Sequence, residues 1–218
     1  MKYKLEWNYK IKGKEGVTFN SDWVEGEKAL LIGEDIEKSG KGTDLVYHDE
    51  MGTTWSTKEM RKLLAEIEEE PHDLTVYFDG GFNKETYQAG LGAVIYYKQG
   101  KKKYRIRANA LINEIENNNE AEYAAIYHTV NLLEEIGVHH MICEFKGDSQ
   151  GVLMQLKGEW PCYEENLNRW LDRIEEKIKS LNIEARYTSI PRTENKEADK
   201  LATQALEGKI INSKMQVI

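Results

Sequence analysis

The chain has 218 residues, 40% of them hydrophobic, and its 38 Asp and Glu outweigh 30 Lys and Arg for a formal net charge of -8. That length holds one large domain, or a medium domain beside a small one. The negative balance argues against a protein held to nucleic acid by bulk positive charge and leaves room only for a local basic stripe.

Residues 2–11 and 16–20 read as two strands joined at KGKEG, whose glycines suit a tight turn. Residues 25–38 read as a helix, with Ala29, Ile32 and Ile36 spaced for one buried face. DLVYHDEMGTTW follows as a hairpin turning at DEMG. In STKE, Ser56 and Glu59 have capping-box spacing, and the helix they open carries Met60, Leu63, Leu64 and Ile67 on one stripe. It ends in EIEEEPH, where the glutamate run and Pro71 indicate a linker at 71–73. Residues 1–70 are thus expected to form a small α+β domain of order ββαββα. Trp7, Trp23 and Trp55 are its expected core aromatics.

From residue 74 the pattern changes. LTVYF, GLGAVIYY and KYRIRANALI read as three consecutive strands. Residues 118–136 read as a helix with Ala121, Ala125, Leu132 and Leu133 on its apolar side. HHMICEFKG is a strand, SQGVLMQLKG a short helix, YEENLNRWLDRIEEKIKSL a longer helix and IEARYTSI a fifth strand. A last helix at 194–207 turns Ala198, Leu201, Ala202 and Ala205 inward. The order predicts an α/β domain at 74–207, a mixed five-stranded sheet flanked by helices. The tail at 208–218 shows no clear period.

No apolar segment of signal-peptide length opens the chain, and no run approaches a membrane span. The two cysteines, Cys143 and Cys162, fit neither a metal spacing nor a disulfide framework, which suits a cytoplasmic protein.

Four acids fall at informative places: Asp79 at the end of the first strand after the linker, Glu122 in NNNEAEYAA, Asp148 in FKGDSQG and Asp199 in ENKEADKLA. Singly, each has an ordinary reading as a turn residue, an N-cap or a solvated helix position. Together they belong to strand ends and helix starts, which converge at the carboxyl edge of an α/β sheet. Carboxylates gathered there repel one another, and hard divalent cations such as Mg²⁺ or Mn²⁺ relieve the repulsion. Two such ions are a known device for in-line phosphodiester displacement.

These residues carry a family resemblance. YFDGG, AGLGAVI, NNNEAEY, DSQGV and NKEADKLA, over residues 74–207, resemble type 1 ribonuclease H, which cleaves the RNA strand of RNA–DNA hybrids. The resemblance implies a ribonuclease H-like fold and a two-metal endonuclease yielding 5′-phosphomonoesters. Its catalytic and metal-binding acids would be Asp79, Glu122, Asp148 and Asp199, with two Mg²⁺ or Mn²⁺ ions. The implied substrate contacts are Gly80, Asn118, Asn119, Gln150 and Arg192. Of these, Asn119 and Gln150 resemble positions that read the minor groove and the ribose 2′-hydroxyls. Two other readings stay open: a hybrid- or RNA-binding module with weak or no turnover, and a nuclease acting on structured RNA.

The sequence also departs from the family. Gly81 replaces a small polar residue or alanine, and Ser189 stands where many members carry a histidine that assists product release. Arg192 lies nearby in sequence. The family's basic, tryptophan-rich handle is missing after Trp160, where PCYEENLNRW brings acids. Asn117 takes the place of a phosphate-binding threonine, and Glu120 that of a basic neighbour. The remaining basic candidates are Lys101, Lys102, Lys103, Arg105 and Arg107, on what reads as a sheet edge. Residues 1–70 hold 11 Lys and Arg against 16 Asp and Glu, and they do not match the family's hybrid-binding domain. Five lysines between Lys2 and Lys14, beside Trp7, offer one basic edge. Contact with another protein, or stabilisation, is the expected role of this domain.

Overall fold

The computed structural model describes residues 1–10 and 14–217, which divide into two compact units, Met1–Glu69 and Glu70–Ile218. Ile11, Lys12 and Gly13, at the expected junction of the first two strands, lie outside the described residues, as does Ile218.

In the first unit, β1 (Lys2–Tyr9), β2 (Val17–Asn20), β3 (Val24–Glu25), α1 (Gly26–Ser39), β4 (Gly42–Asp49), β5 (Thr54–Trp55) and α2 (Thr57–Glu69) follow in order. The sheet runs β2-β1-β4-β5, and the short β3 also pairs with β1. Alternation along β1 sends Tyr3 and Leu5 into a core with Ala29, Tyr47 and Met60. The Ser56–Glu59 capping box forms: the Ser56 amide donates to Glu59 Oε2 at 2.8 Å and the Glu59 amide to Ser56 Oγ at 3.3 Å. At the hairpin, buried Asp49 accepts from the Met51 and Thr53 amides and from Trp55 Nε1, which fixes the turn between β4 and β5. Trp7 and Trp55 pack against the core, whereas Trp23 is 47% exposed and is not a core residue. Trp7 stacks on Phe19 rather than standing free, with centroids 5.8 Å apart.

The second unit begins with an antiparallel meander, β6 (His72–Asn83), β7 (Gln88–Gln99) and β8 (Lys102–Asn113). Then come α3 (Asn118–Glu135), β9 (Ile142–Gly147), α4 (Gln150–Leu156), α5 (Glu165–Ser180), β10 (Glu184–Ser189), α6 (Lys196–Leu206) and β11 (Asn212–Val217). The sheet order is β10-β9-β6-β7-β8-β11, with β9 parallel to both β6 and β10. The main core joins Val76, Phe78, Ile95, Ile126, Leu133 and Phe145, from the sheet and α3, to Leu167 and Ile174 of α5.

Several expectations require correction. The sheet has six strands, not five, because the tail forms β11 against β8 from Asn212↔Ala108 to Val217↔Lys103. Strand β8 is therefore not an edge, and Arg105 and Arg107 are not a free basic stripe: both pair with Glu197 of α6, at 3.3 and 2.9 Å. β6 begins at His72, so little of 71–73 remains as linker. No described helix is long and apolar enough to cross a membrane.

Candidate metal centre

Asp79 lies inside β6 rather than at its end. It pairs with Gly92 of β7 on one side, but on the other the parallel ladder with β9 stops at Tyr77↔Lys146. β9 ends at Gly147, and Asp148 leaves the sheet at the opening this creates beside Asp79. The site thus forms where a parallel strand ends and its loop turns away.

Two glycines let helices come close enough to complete the site. A Cβ on Gly80 would meet the Ala121 carbonyl at 2.3 Å, so only glycine admits the first turns of α3 here. The Gly80 amide then donates to Glu122 Oε2 at 3.3 Å. A Cβ on Gly92 would meet the Ala198 carbonyl oxygen at 2.1 Å, so α6, which carries Asp199, rests directly on β7.

Asp79, Glu122 and Asp148 each place one carboxylate oxygen within 4.8 Å of the others. Asp79 and Glu122 are buried, at 8% and 7% exposure, and Asp148 is half-buried. Burial, then the charges of Asp148 and Asp199, pushes the Asp79 carboxyl up to about 7. Burial and the charges of Asp79 and Asp148 raise Glu122 well above the ordinary carboxylate range. Three acids so placed cannot all ionise cheaply without a cation. Their donor set is all oxygen, without His or Cys, and fits Mg²⁺ or Mn²⁺ rather than a soft metal.

Asp199 stands outside this three-membered cluster, and its Oδ1 accepts from the exposed guanidinium of Arg192 at 2.6 Å. Asn118 and Asn119 lie in the first turn of α3 and Gln150 in that of α4, and all three are exposed. Ser149, not Asp148, occupies the N-cap position of α4. Asn117 caps α3 by accepting from the Glu120 amide at 2.9 Å. Glu120 is not an outward-facing acid: it is buried, accepting from the Glu116 amide at 2.8 Å and from Trp170 Nε1 of α5 at 3.0 Å.

One residue of the site was not singled out from the sequence. Asn195, 1% exposed at the start of α6, donates through Nδ2 to the Phe78 carbonyl, to Asp79 Oδ1 and to Asp148 Oδ1, at 2.9, 3.3 and 3.1 Å. In sequence it is indistinguishable from an ordinary helix-cap asparagine. Its only signal was its position four residues before Asp199.

The sequence model of the reverse transcriptase-like family matches residues 77–205, more than half of the chain and all four acids. The chain belongs to this ribonuclease HI-like family. The uncharacterized protein YpeP of Bacillus subtilis is 41% identical over 214 residues, 98% of this chain and 94% of its own length, so that likeness runs through both units. The RNase H1 structure from the archaeon Halobacterium salinarum superposes with a TM-score of 0.54 at 29% identity, covering 62% of this chain and 98% of that one. LC11-RNase H1, solved in complex with an RNA/DNA hybrid, gives a TM-score of 0.55 at 25% identity, covering 62% and 98%. The ribonuclease HI-like relatives and the mixed, helix-flanked sheet agree on the fold of the second unit.

Proposed function

We propose that this protein is a divalent-metal-dependent endonuclease that hydrolyses the RNA strand of RNA–DNA hybrids. The observation that carries the reading is the convergence of Asp79, Glu122 and Asp148, two of them buried, at a sheet opening in a ribonuclease HI-like fold. A related enzyme, LC11-RNase H1, has been captured on such a hybrid.

Asp79, Glu122 and Asp148 would hold the cations, with Asp199 completing the set from α6. Bound Mg²⁺ or Mn²⁺, two ions in this reading, would supply Lewis-acid activation for in-line attack of water on the phosphodiester and would stabilise charge on the leaving oxygen. The chain's own residues then do the rest. Gly80 fixes the Glu122 carboxylate by its amide and, being glycine, admits the turn of α3 that carries it. Asp79, raised to about 7, releases its remaining proton when the site is filled. Exposed Asn119 and Gln150, with Asn118 beside them, would read ribose 2′-hydroxyls, the groups that distinguish RNA from DNA. Arg192, 77% exposed, would exchange Asp199 for substrate or product phosphate.

A second reading, a hybrid-binding module with weak turnover, draws on the Arg192–Asp199 pair, which occupies one acid, and on Ser189 in place of the histidine. One experiment separates them. Purified protein is incubated with end-labelled hybrid in Mg²⁺, Mn²⁺ or EDTA, and product ends are determined. Metal-dependent cuts leaving 5′-phosphate and 3′-hydroxyl ends support the nuclease; retention of intact hybrid in either metal supports the binding module.

A further inference from the structure

The placement of Asn195 leads beyond the four acids. We propose that Asn195 is a positioning residue that sets the spacing of the metal-binding carboxylates before a cation arrives, a role that rests on the nuclease reading.

The geometry is unusual in how many elements one side chain joins. Nδ2 touches the Phe78 carbonyl and Asp79 Oδ1 on β6, and Asp148 Oδ1 in the loop after β9. The backbone carbonyl of the same residue accepts the Asp199 amide at 3.1 Å in the first turn of α6. Three acids on three elements are thereby tied to one residue, while the fourth, Glu122, is held separately by the Gly80 amide.

The amide orientation is fixed by chemistry. Nδ2 faces three oxygen acceptors, and a flipped side chain would set Oδ1 against all three. In the observed orientation Oδ1 is buried without a hydrogen-bond partner among the described residues. A buried polar atom left unsatisfied is unfavourable. The arrangement persists because the donor end is fully engaged with the site.

The residue type also fits the task. Lysine or arginine here would neutralise Asp79 and Asp148 and compete with the cation for them. Aspartate would add a further negative charge and no donor. Asparagine donates to both carboxylates without net charge, so it draws them together and leaves their remaining lone pairs free for a metal. When Asn195 is removed, Asp79 and Asp148 repel in the metal-free site and relax apart, and a cation must first draw its ligands back together.

The test compares two buried asparagines that both brace α6. Asn109, 5% exposed, donates to the Leu201 and Lys209 carbonyls and accepts the Ile211 amide, so it braces α6 and the connection to β11 without touching an acid. Mn²⁺ affinity of the full chain is measured by calorimetry for wild type, Asn195→Ala and Asn109→Ala, well below each melting temperature. Asn195→Ala is expected to weaken Mn²⁺ binding tenfold or more, with hybrid cleavage recovering as Mn²⁺ is raised. Asn109→Ala should lower the melting temperature and leave Mn²⁺ affinity within about twofold of wild type. If Asn195→Ala does not fold, Asn195→Ser, which restores one donor, is expected to bind Mn²⁺ with an intermediate loss. Wild-type affinity in the folded Asn195 variant, or equal losses in the Asn195 and Asn109 variants, overturns the positioning role alone. A wild type that binds no Mn²⁺ overturns the nuclease reading and this role with it.

Discussion

Replacing Asp79 by Asn should stabilise the metal-free protein, although it removes a site residue. Asp79 is pushed from 3.8 to about 7 in the folded state, chiefly by burial and then by Asp148 and Asp199. Between those values the folded protein keeps a proton that the unfolded chain has released. Stability therefore falls as pH rises from about 4 to about 7, and above that the full penalty is present. A shift of roughly 3 units corresponds to about 4 kcal/mol at pH 8, and to only about 1 kcal/mol at pH 4.5. Asn cannot ionise and keeps an oxygen to accept from Asn195, so Asp79→Asn recovers most of that difference. Native-state hydrogen exchange at the buried amides of residues 121–126, in EDTA, reads the stability of this unit without interference from the first. The expected gain is about 3 to 4 kcal/mol at pH 8, shrinking to about 1 kcal/mol at pH 4.5. Equal stability of the two proteins at pH 8, or a destabilisation independent of pH, would refute the claim that Asp79 is strained by burial and repulsion.

Three further outcomes are expected from the same geometry. Mn²⁺ or Mg²⁺ should raise the wild-type melting temperature, and Asp148→Asn should reduce that rise while leaving the circular dichroism spectrum unchanged, as a metal titration by thermal shift will show. Asn119→Ala combined with Gln150→Ala should slow hybrid cleavage at least tenfold through KM, and 2′-deoxy substitution around one scissile bond should abolish cutting at that bond on a sequencing gel. Truncation to residues 70–218 should leave a folded, metal-binding protein whose hybrid affinity changes by less than about tenfold, or 1.4 kcal/mol, because the removed residues are net acidic. Fluorescence anisotropy in Ca²⁺ measures that change, and a hundredfold loss would assign hybrid binding to the first unit.

The acids were legible because each sits in a local string with its neighbours: Asp79 before two glycines, Glu122 after three asparagines, Asp148 before Ser-Gln-Gly. The Ser56–Glu59 cap and the stripe of Ala121, Ala125, Leu132 and Leu133 were legible for the same reason, since helix periodicity and capping act over a few residues. What was missed depends on contacts across the chain. Asn195 acquires its meaning only when β6, β9 and α6 meet, because its partners lie 47 and 116 residues away. β11 was hidden because its alternation is not one of apolar and polar residues: exposed Lys214 lies over two tyrosine rings, its ammonium 5.3 Å from the Tyr97 centroid and 4.7 Å from that of Tyr104. Once β11 covers β8, the expected basic edge becomes an internal strand. Arg105 and Arg107 are then explained by Glu197, which no local pattern could pair with them. Trp23 shows the converse, a large aromatic in a small domain that is 47% exposed rather than core.

Metal-dependent cleavage confined to the RNA of a hybrid is best tested on a panel of labelled substrates, comparing wild type with Asp148→Asn in Mg²⁺ and in Mn²⁺. RNA–DNA hybrid, double-stranded RNA, single-stranded RNA and duplex DNA are offered at equal concentration. Wild type is expected to cut only the RNA strand of the hybrid, EDTA to stop it, and Asp148→Asn to leave the hybrid intact. Undiminished cleavage by Asp148→Asn, or wild-type cutting of double-stranded RNA with the hybrid untouched, would contradict the assignment of these acids to hybrid hydrolysis.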